Sequence, residues 1–117
     1  MDELKINVEK GSSGAGIYRL NGPLTLNTLF EFQDMARKET APAIVLDLSN
    51  VPYMDSAGLG AVLGVLASCQ RHSRGFGVAC VPDRIKTLFT VGHVDGLIPS
   101  FDTVEIAESR IVKSASA

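Results

Sequence analysis

Ala43-Ile44-Val45-Leu46-Asp47-Leu48 is a nearly unbroken apolar run only six residues long. A surface helix hides one stripe and a half-buried strand alternates, so a short run that is apolar at consecutive positions reads as a strand covered on both faces. Such a strand needs a sheet with helices packed on it. Pro42 marks its start, and Ser49-Asn50-Val51-Pro52 supplies turn residues at its end. No apolar run in the chain approaches the roughly 20 residues that cross a bilayer, so membrane insertion is not expected.

The elements on either side complete the architecture. Leu4, Ile6 and Val8 alternate with polar residues, and Ile17-Tyr18-Arg19-Leu20 follows a glycine-rich turn, which predicts a hairpin. After Asn21-Gly22-Pro23 the spacing predicts a helix from about Leu26 to Glu39, capped by Asn27 or by a Thr28/Glu31 capping box. Leu29, Phe32 and Ala36 form its inner face, with Leu26, Phe30 and Met35 beside it.

A second helix runs from Asp55 to about Ser73 on the stripe Leu59, Val62, Leu63 and Leu66. Gly60 and Gly64 each cost about 1 kcal/mol of helix propensity, which reads as close contact with the sheet. A strand at Phe76–Val81 and a helix at Asp83–Val91, ended by Gly92 as a left-handed cap, come next. Leu97-Ile98 reads as a short edge strand. Asp102 with Glu105 is a capping box for a last helix through Ile106 and Ile111. The order β-β-α-β-α-β-α-β-α predicts one α/β domain with a mixed sheet over residues 1–113, and a disordered tail over residues 114–117.

Composition narrows the function. In 117 residues, 45% apolar and 21% charged, there is room for one folded domain. Eleven basic against 13 acidic residues give a net charge of −2, without the basic surplus of a nucleic-acid binder. Cys69 and Cys80 are too few for a disulfide framework or a four-thiolate zinc site, and read as small buried hydrophobes. The N-terminus lacks the basic and apolar regions of a secretory signal, so a cytoplasmic protein is expected. No cofactor or metal site is expected.

The chemistry centres on Asp55-Ser56-Ala57-Gly58-Leu59-Gly60, which opens a helix just beyond a strand's carboxyl end, where α/β sheets gather their ligands. A serine there faces unpaired backbone N–H groups and the positive helix end, so an added phosphoryl dianion lands on donors. Ala57 and Gly58 leave its hydroxyl open. The plainer alternative is that Ser56 or Asp55 is only an N-cap. Serine catalysis is disfavoured: Met54 stands where a Gly-x-Ser-x-Gly elbow needs glycine, and His72 falls more than four turns along the same helix, roughly 24 Å away. His93 could approach only through tertiary folding. For nucleotides, Gly58-Leu59-Gly60 lacks the third glycine of a dinucleotide fingerprint, and no Walker A sequence is present.

The whole string resembles the STAS family, the domain shared by sulfate transporters and anti-sigma factor antagonists. The resemblance rests on Gly22-Pro23-Leu24, Ile44-Val45-Leu46-Asp47-Leu48-Ser49 and Met54-Asp55-Ser56-Ala57-Gly58-Leu59-Gly60. It implies a STAS-like fold and a non-enzymatic antagonist that binds an anti-sigma factor and frees a sigma factor. The anti-sigma factor in that group is an ATP-dependent serine kinase that phosphorylates the serine aligned with Ser56, and a PP2C-type phosphatase reverses the step. The partner surface would comprise Asp55, Ser56, Ala57, Gly58 and Gly60, with Tyr53 and Met54 as apolar contacts on its rim. Many members carry an acidic residue where this chain has Thr25. The alternative within the same fold is an unphosphorylated scaffold or docking subunit of a transporter or stress-sensing complex.

Overall fold

The computed structural model describes residues 3–115, with side chains through Val112. Strands β1 (Lys5–Lys10) and β2 (Gly16–Asn21) form the antiparallel hairpin that the alternation predicts. Helix α1 (Leu29–Lys38) leads to β3 (Ala43–Asn50), α2 (Ser56–Arg71) to β4 (Gly75–Ala79), and α3 (Asp83–Val91) to β5 (Ser100–Phe101). Helix α4 (Val104–Ala115) closes the fold and takes in the first two residues of the segment expected as a tail. Ser116 and Ala117 lie outside the described residues.

The sheet order is β1-β2-β3-β4-β5, parallel from β2 onward. Three crossovers that step the same way along a sheet and share right-handedness must put their helices on one face. Helices α1, α2 and α3 do so, burying Phe32, Val62 and Ile85 against Tyr18, Ile44, Leu46 and Val78 in the larger core. The opposite face is left to α4, whose Val104, Ala107 and Ile111 cover Ala15, Ile17, Val45 and Ala79. The Ala43–Leu48 run is therefore buried on both faces, as its composition requires. Beyond the reach of α4, β1 and β2 present Lys5, Asn7, Glu9 and Arg19 on that side, and β1 stays largely exposed.

Five local expectations are corrected. Helix α1 starts at Leu29 because the Thr28 hydroxyl is used in the preceding loop, accepting from Thr25 N–H (2.9 Å) and donating to the Pro23 carbonyl (2.8 Å); no side-chain cap or capping box forms. Gly92 is right-handed at φ −79°, and the left-handed residue is His93 at φ 59°. The edge strand is Ser100–Phe101, while Leu97 is exposed and Ile98 sinks into the core. The last helix is capped by Thr103, whose hydroxyl accepts the Ile106 N–H at 3.1 Å, not by Asp102 with Glu105. Strand β4 stops at Ala79, since Cys80 turns to φ 57° and is half-buried, unlike Cys69 in the core.

Candidate partner interface at the start of helix α2

The chain leaves β3, crosses the Asn50–Met54 loop and returns beside Leu24, where Leu24 N–H donates to the Tyr53 carbonyl at 3.0 Å. A parallel bridge between Leu24 and Met54 fixes this return. Asp55 then caps α2 in an extended conformation, its Oδ1 accepting the Gly58 N–H at 2.8 Å. The other carboxylate oxygen accepts the Leu26 N–H at 3.1 Å. One side chain thus caps a helix and ties it to the loop before α1. The N-cap alternative belongs to Asp55.

Ser56 is the first residue of α2, exposed, and its hydroxyl makes no hydrogen bond among the described residues. It is a free nucleophile-sized group at the positive end of a 16-residue helix. Ala57 is half-buried and Tyr53 is half exposed beside it. Gly58 is buried, and a Cβ there would lie 2.1 Å from the Leu24 carbonyl oxygen. That contact, between helix start and loop, is the close approach this glycine serves.

Gly60 and Gly64 correct the expectation of contact with the sheet. Both are exposed, and a Cβ at either would meet nothing within 4 Å. Met54 is corrected too: at 5% exposure it belongs to the core and offers no rim contact.

Neighbours brought in by tertiary folding complete the surface. Leu26, expected beside the inner face of α1, instead precedes that helix and stands 57% exposed with its N–H on Asp55; Phe30, expected on the same face, is exposed on α1. Arg84 of α3 reaches the Pro52 carbonyl at 3.5 Å, bringing a positive charge to the loop. No local pattern assigns Leu26 or Arg84 to this surface, because each arrives through tertiary folding. Thr25 lines a depression of about 330 Å³ with Pro52, Tyr53 and Asp55, so the missing acidic residue would have stood on this surface. Here Thr25 Oγ1 instead accepts the Asn27 N–H at 3.3 Å.

The histidines stand apart from this arrangement. His72 ends α2 at the far terminus, its Nδ1 2.8 Å from the Ser68 carbonyl, and Ser56 bonds to neither imidazole. Burial pushes the Cys69 and Cys80 thiols up, away from thiolate chemistry.

Behind the site, the end of β3 is fastened by a buried carboxylate. Arg19 Nη1 donates to Asp47 Oδ2 at 2.7 Å, and its Nε donates to Glu9 at 2.7 Å. Burial opposes the charge on Asp47, but the Ser49 N–H and hydroxyl together with Arg19 outweigh it and hold the carboxyl below its usual range.

The family model for the STAS domain matches residues 6–107. This chain belongs to the STAS domain family. Among curated relatives, the anti-sigma-B factor antagonist of Staphylococcus aureus is 29% identical over 91 residues, covering 75% of this chain and 84% of the relative. The crystal structure of an anti-sigma factor antagonist from Mycobacterium paratuberculosis superposes with a TM-score of 0.78 at 21% identity, covering 92% of this chain and 93% of that one. The anti-sigma factor antagonist SpoIIAA in its unphosphorylated form gives 0.75 at 17% identity, covering 92% of this chain and 96% of the other. A phosphorylated form of the Bacillus protein gives 0.71, with 92% and 99% covered. These likenesses establish that the five strands and four helices are a STAS fold. No helix among the described residues is long and apolar enough to cross a membrane.

Proposed function

We propose that this STAS domain is an anti-sigma factor antagonist switched by phosphorylation of Ser56. Unmodified, it binds an anti-sigma factor that is also an ATP-dependent serine kinase, and a sigma factor is released in the cytoplasm. In the modifying step the Ser56 Oγ attacks the γ-phosphorus of ATP, the bond to the β-phosphate oxygen breaks, ADP leaves and the hydroxyl proton passes to a base of the kinase. A PP2C-type phosphatase hydrolyses the phosphoserine. The STAS domain contributes the hydroxyl and the surface around it, and no catalytic group.

The observation that carries this reading is the division of labour between Asp55 and Ser56. Asp55 supplies the cap, so the exposed Ser56 hydroxyl has no structural duty to lose. A phosphate there would meet the positive helix end and leave the fold intact. On a partner surface it would repel acidic groups and nucleotide phosphates and resist desolvation. About 3 kcal/mol lost in this way weakens binding roughly a hundredfold, enough for a switch. The names of the curated relatives, and the existence of a STAS protein solved in both phosphorylation states, support the same reading.

The test is an affinity purification from the native host with wild-type and Ser56→Asp baits, read by mass spectrometry. The expected result is a small ATP-binding kinase that the wild type retains and the variant loses, with Ser56 partly phosphorylated. If both baits retain the same transporter or scaffold proteins and Ser56 is never modified, the domain is instead a constitutive docking module.

A further inference from the structure

Along α2 from Ala61 to its last residue, Arg71, a half-open cleft of about 270 Å³ separates α1 from α2. Its floor is apolar, made by Ala36, Ile44, Val65 and Cys69. Its rim is cationic: Arg37 from α1, Arg71 from α2 and Arg74 from the turn after α2. No carboxylate is among its lining residues, although the chain as a whole carries net negative charge.

The rim cations are unequally committed. Arg37 is paired with Asp34 at 2.5 Å. One Arg74 nitrogen donates to the Glu39 carbonyl oxygen, which pins that guanidinium over the cleft. Arg71 makes no hydrogen bond or ion pair among the described residues. The Glu39 carboxylate accepts from the Tyr18 hydroxyl and the Thr40 and Ala41 N–H groups, and Arg74 lies near enough to help hold its proton affinity down. Cations are favoured at helix C-termini, where two partial charges of about −0.5 converge here. Arg71 is thus the rim cation left without a partner among the described residues, and Arg74 uses only one of its guanidinium nitrogens.

Gly64 lines the same cleft, and no neighbour requires a glycine there. What its missing side chain leaves is the volume of the cleft itself. Ser68, one turn further along the lining, adds a hydroxyl at the boundary between apolar floor and charged rim.

We propose that this cleft between α1 and α2 binds a small amphiphilic anion, a phosphate or carboxylate head joined to a short apolar body. The head sits between Arg71, whose planar fork can donate two N–H bonds to either oxyanion, and the guanidinium nitrogens of Arg74 that the Glu39 carbonyl leaves free. The body lies on Ala36, Ile44 and Val65 in the space beside Gly64. Arg71 on the charged rim ends α2 roughly 22 Å of helix beyond Ser56, so the head site is remote from the modification site.

The full chain, labelled with nitrogen-15, would be titrated with octyl phosphate below its micelle concentration. Inorganic phosphate serves as a head-only control and octyl glucoside as a neutral-head control. Anionic phospholipid vesicles, in a co-sedimentation arm, distinguish a membrane headgroup from a free amphiphile. Saturable one-to-one binding is expected, with amide shifts centred on Gly64, Ser68 and Arg74, and at least tenfold weaker binding of either control.

Arg71→Gln should weaken octyl phosphate binding about tenfold. Gly64→Leu, for which the helix has open space, should abolish binding while keeping or raising the unfolding temperature. Equal affinity for inorganic phosphate, sedimentation with vesicles without binding of the soluble amphiphile, or undiminished binding by a folded Gly64→Leu variant would each overturn the proposal. None of these outcomes bears on phosphorylation at Ser56.

Discussion

A side chain at position 58 has nowhere to go. Its Cβ would fall 2.1 Å from the Leu24 carbonyl oxygen, a backbone atom that cannot rotate away. Gly58→Ala must therefore push α2 off the loop it caps, and a loss of about 1–3 kcal/mol is expected from a denaturant midpoint. Ser56 is the opposite case two residues earlier, since its exposed hydroxyl carries no contact. Ser56→Asp places a carboxylate at a helix N-terminus and should leave the unfolding temperature unchanged or raise stability by about 0.3–1 kcal/mol. Loss of partner binding by that variant would then be an effect on the interface, and calorimetry beside the binding assay separates it from unfolding. The cap and the modification candidate were both legible in the sequence, because Asp-Ser before an apolar stripe has few structural readings. Which of the two caps was not, because that depends on Leu26, which offers its N–H to the second Asp55 oxygen. Met54 was misread for a related reason: a loop has no periodicity, and only its bridge to Leu24 puts it inside.

At the scale of elements, long periodic segments were readable and their ends were not. The stripe of α2 and the alternation of β1 and β2 follow from geometry that repeats over several turns or pleats. A two-residue strand cannot repeat anything. Ser100–Phe101 is held by pairing with Val78 and Ala79, a purely tertiary cause, while the more apolar Leu97-Ile98 pair splits between solvent and core. Gly60 and Gly64 show how a correct cost can be given a wrong cause. They weaken α2, yet the open space around them faces solvent and not the sheet. Gly60→Ala should stabilise the chain by about 1 kcal/mol through helix propensity. If the partner packs closely along this face of α2, the same variant binds more weakly despite its greater stability. Unfolding and binding measured on one preparation check both halves, and a gain in stability with unaltered binding would place the partner elsewhere.

For the whole molecule, the sheet order decides which groups are buried and hence how acid unfolds it. Three same-handed crossovers crowd one face with helices, while α4 alone covers part of the other. On that second face Asp47 is buried at the border of the covered region, with Arg19 between it and Glu9. Glu39 holds the other side of the sheet to the end of α1. Burial opposes its charge, and the Tyr18 hydroxyl with the Ala41 and Thr40 N–H groups outweighs that and lowers its proton affinity. Both carboxyls therefore titrate lower in the folded chain than in the unfolded one, whose ordinary values are about 3.9 for Asp and 4.3 for Glu. Their stabilisation is complete above about pH 5 and is lost as pH falls through the lowered folded values. Asp34 is also held low, by Lys38 and Arg37, but at the exposed surface, where salt screens the effect. Urea unfolding at pH 7, 5 and 3 should show a midpoint that falls mainly between the last two, at low and high salt alike. Asp47→Asn removes the buried one of these two carboxylates, so its midpoint should start lower at pH 7 and fall less steeply. Acid curves of equal slope for variant and wild type would mean that the Arg19–Asp47 pair contributes no pH-dependent stability.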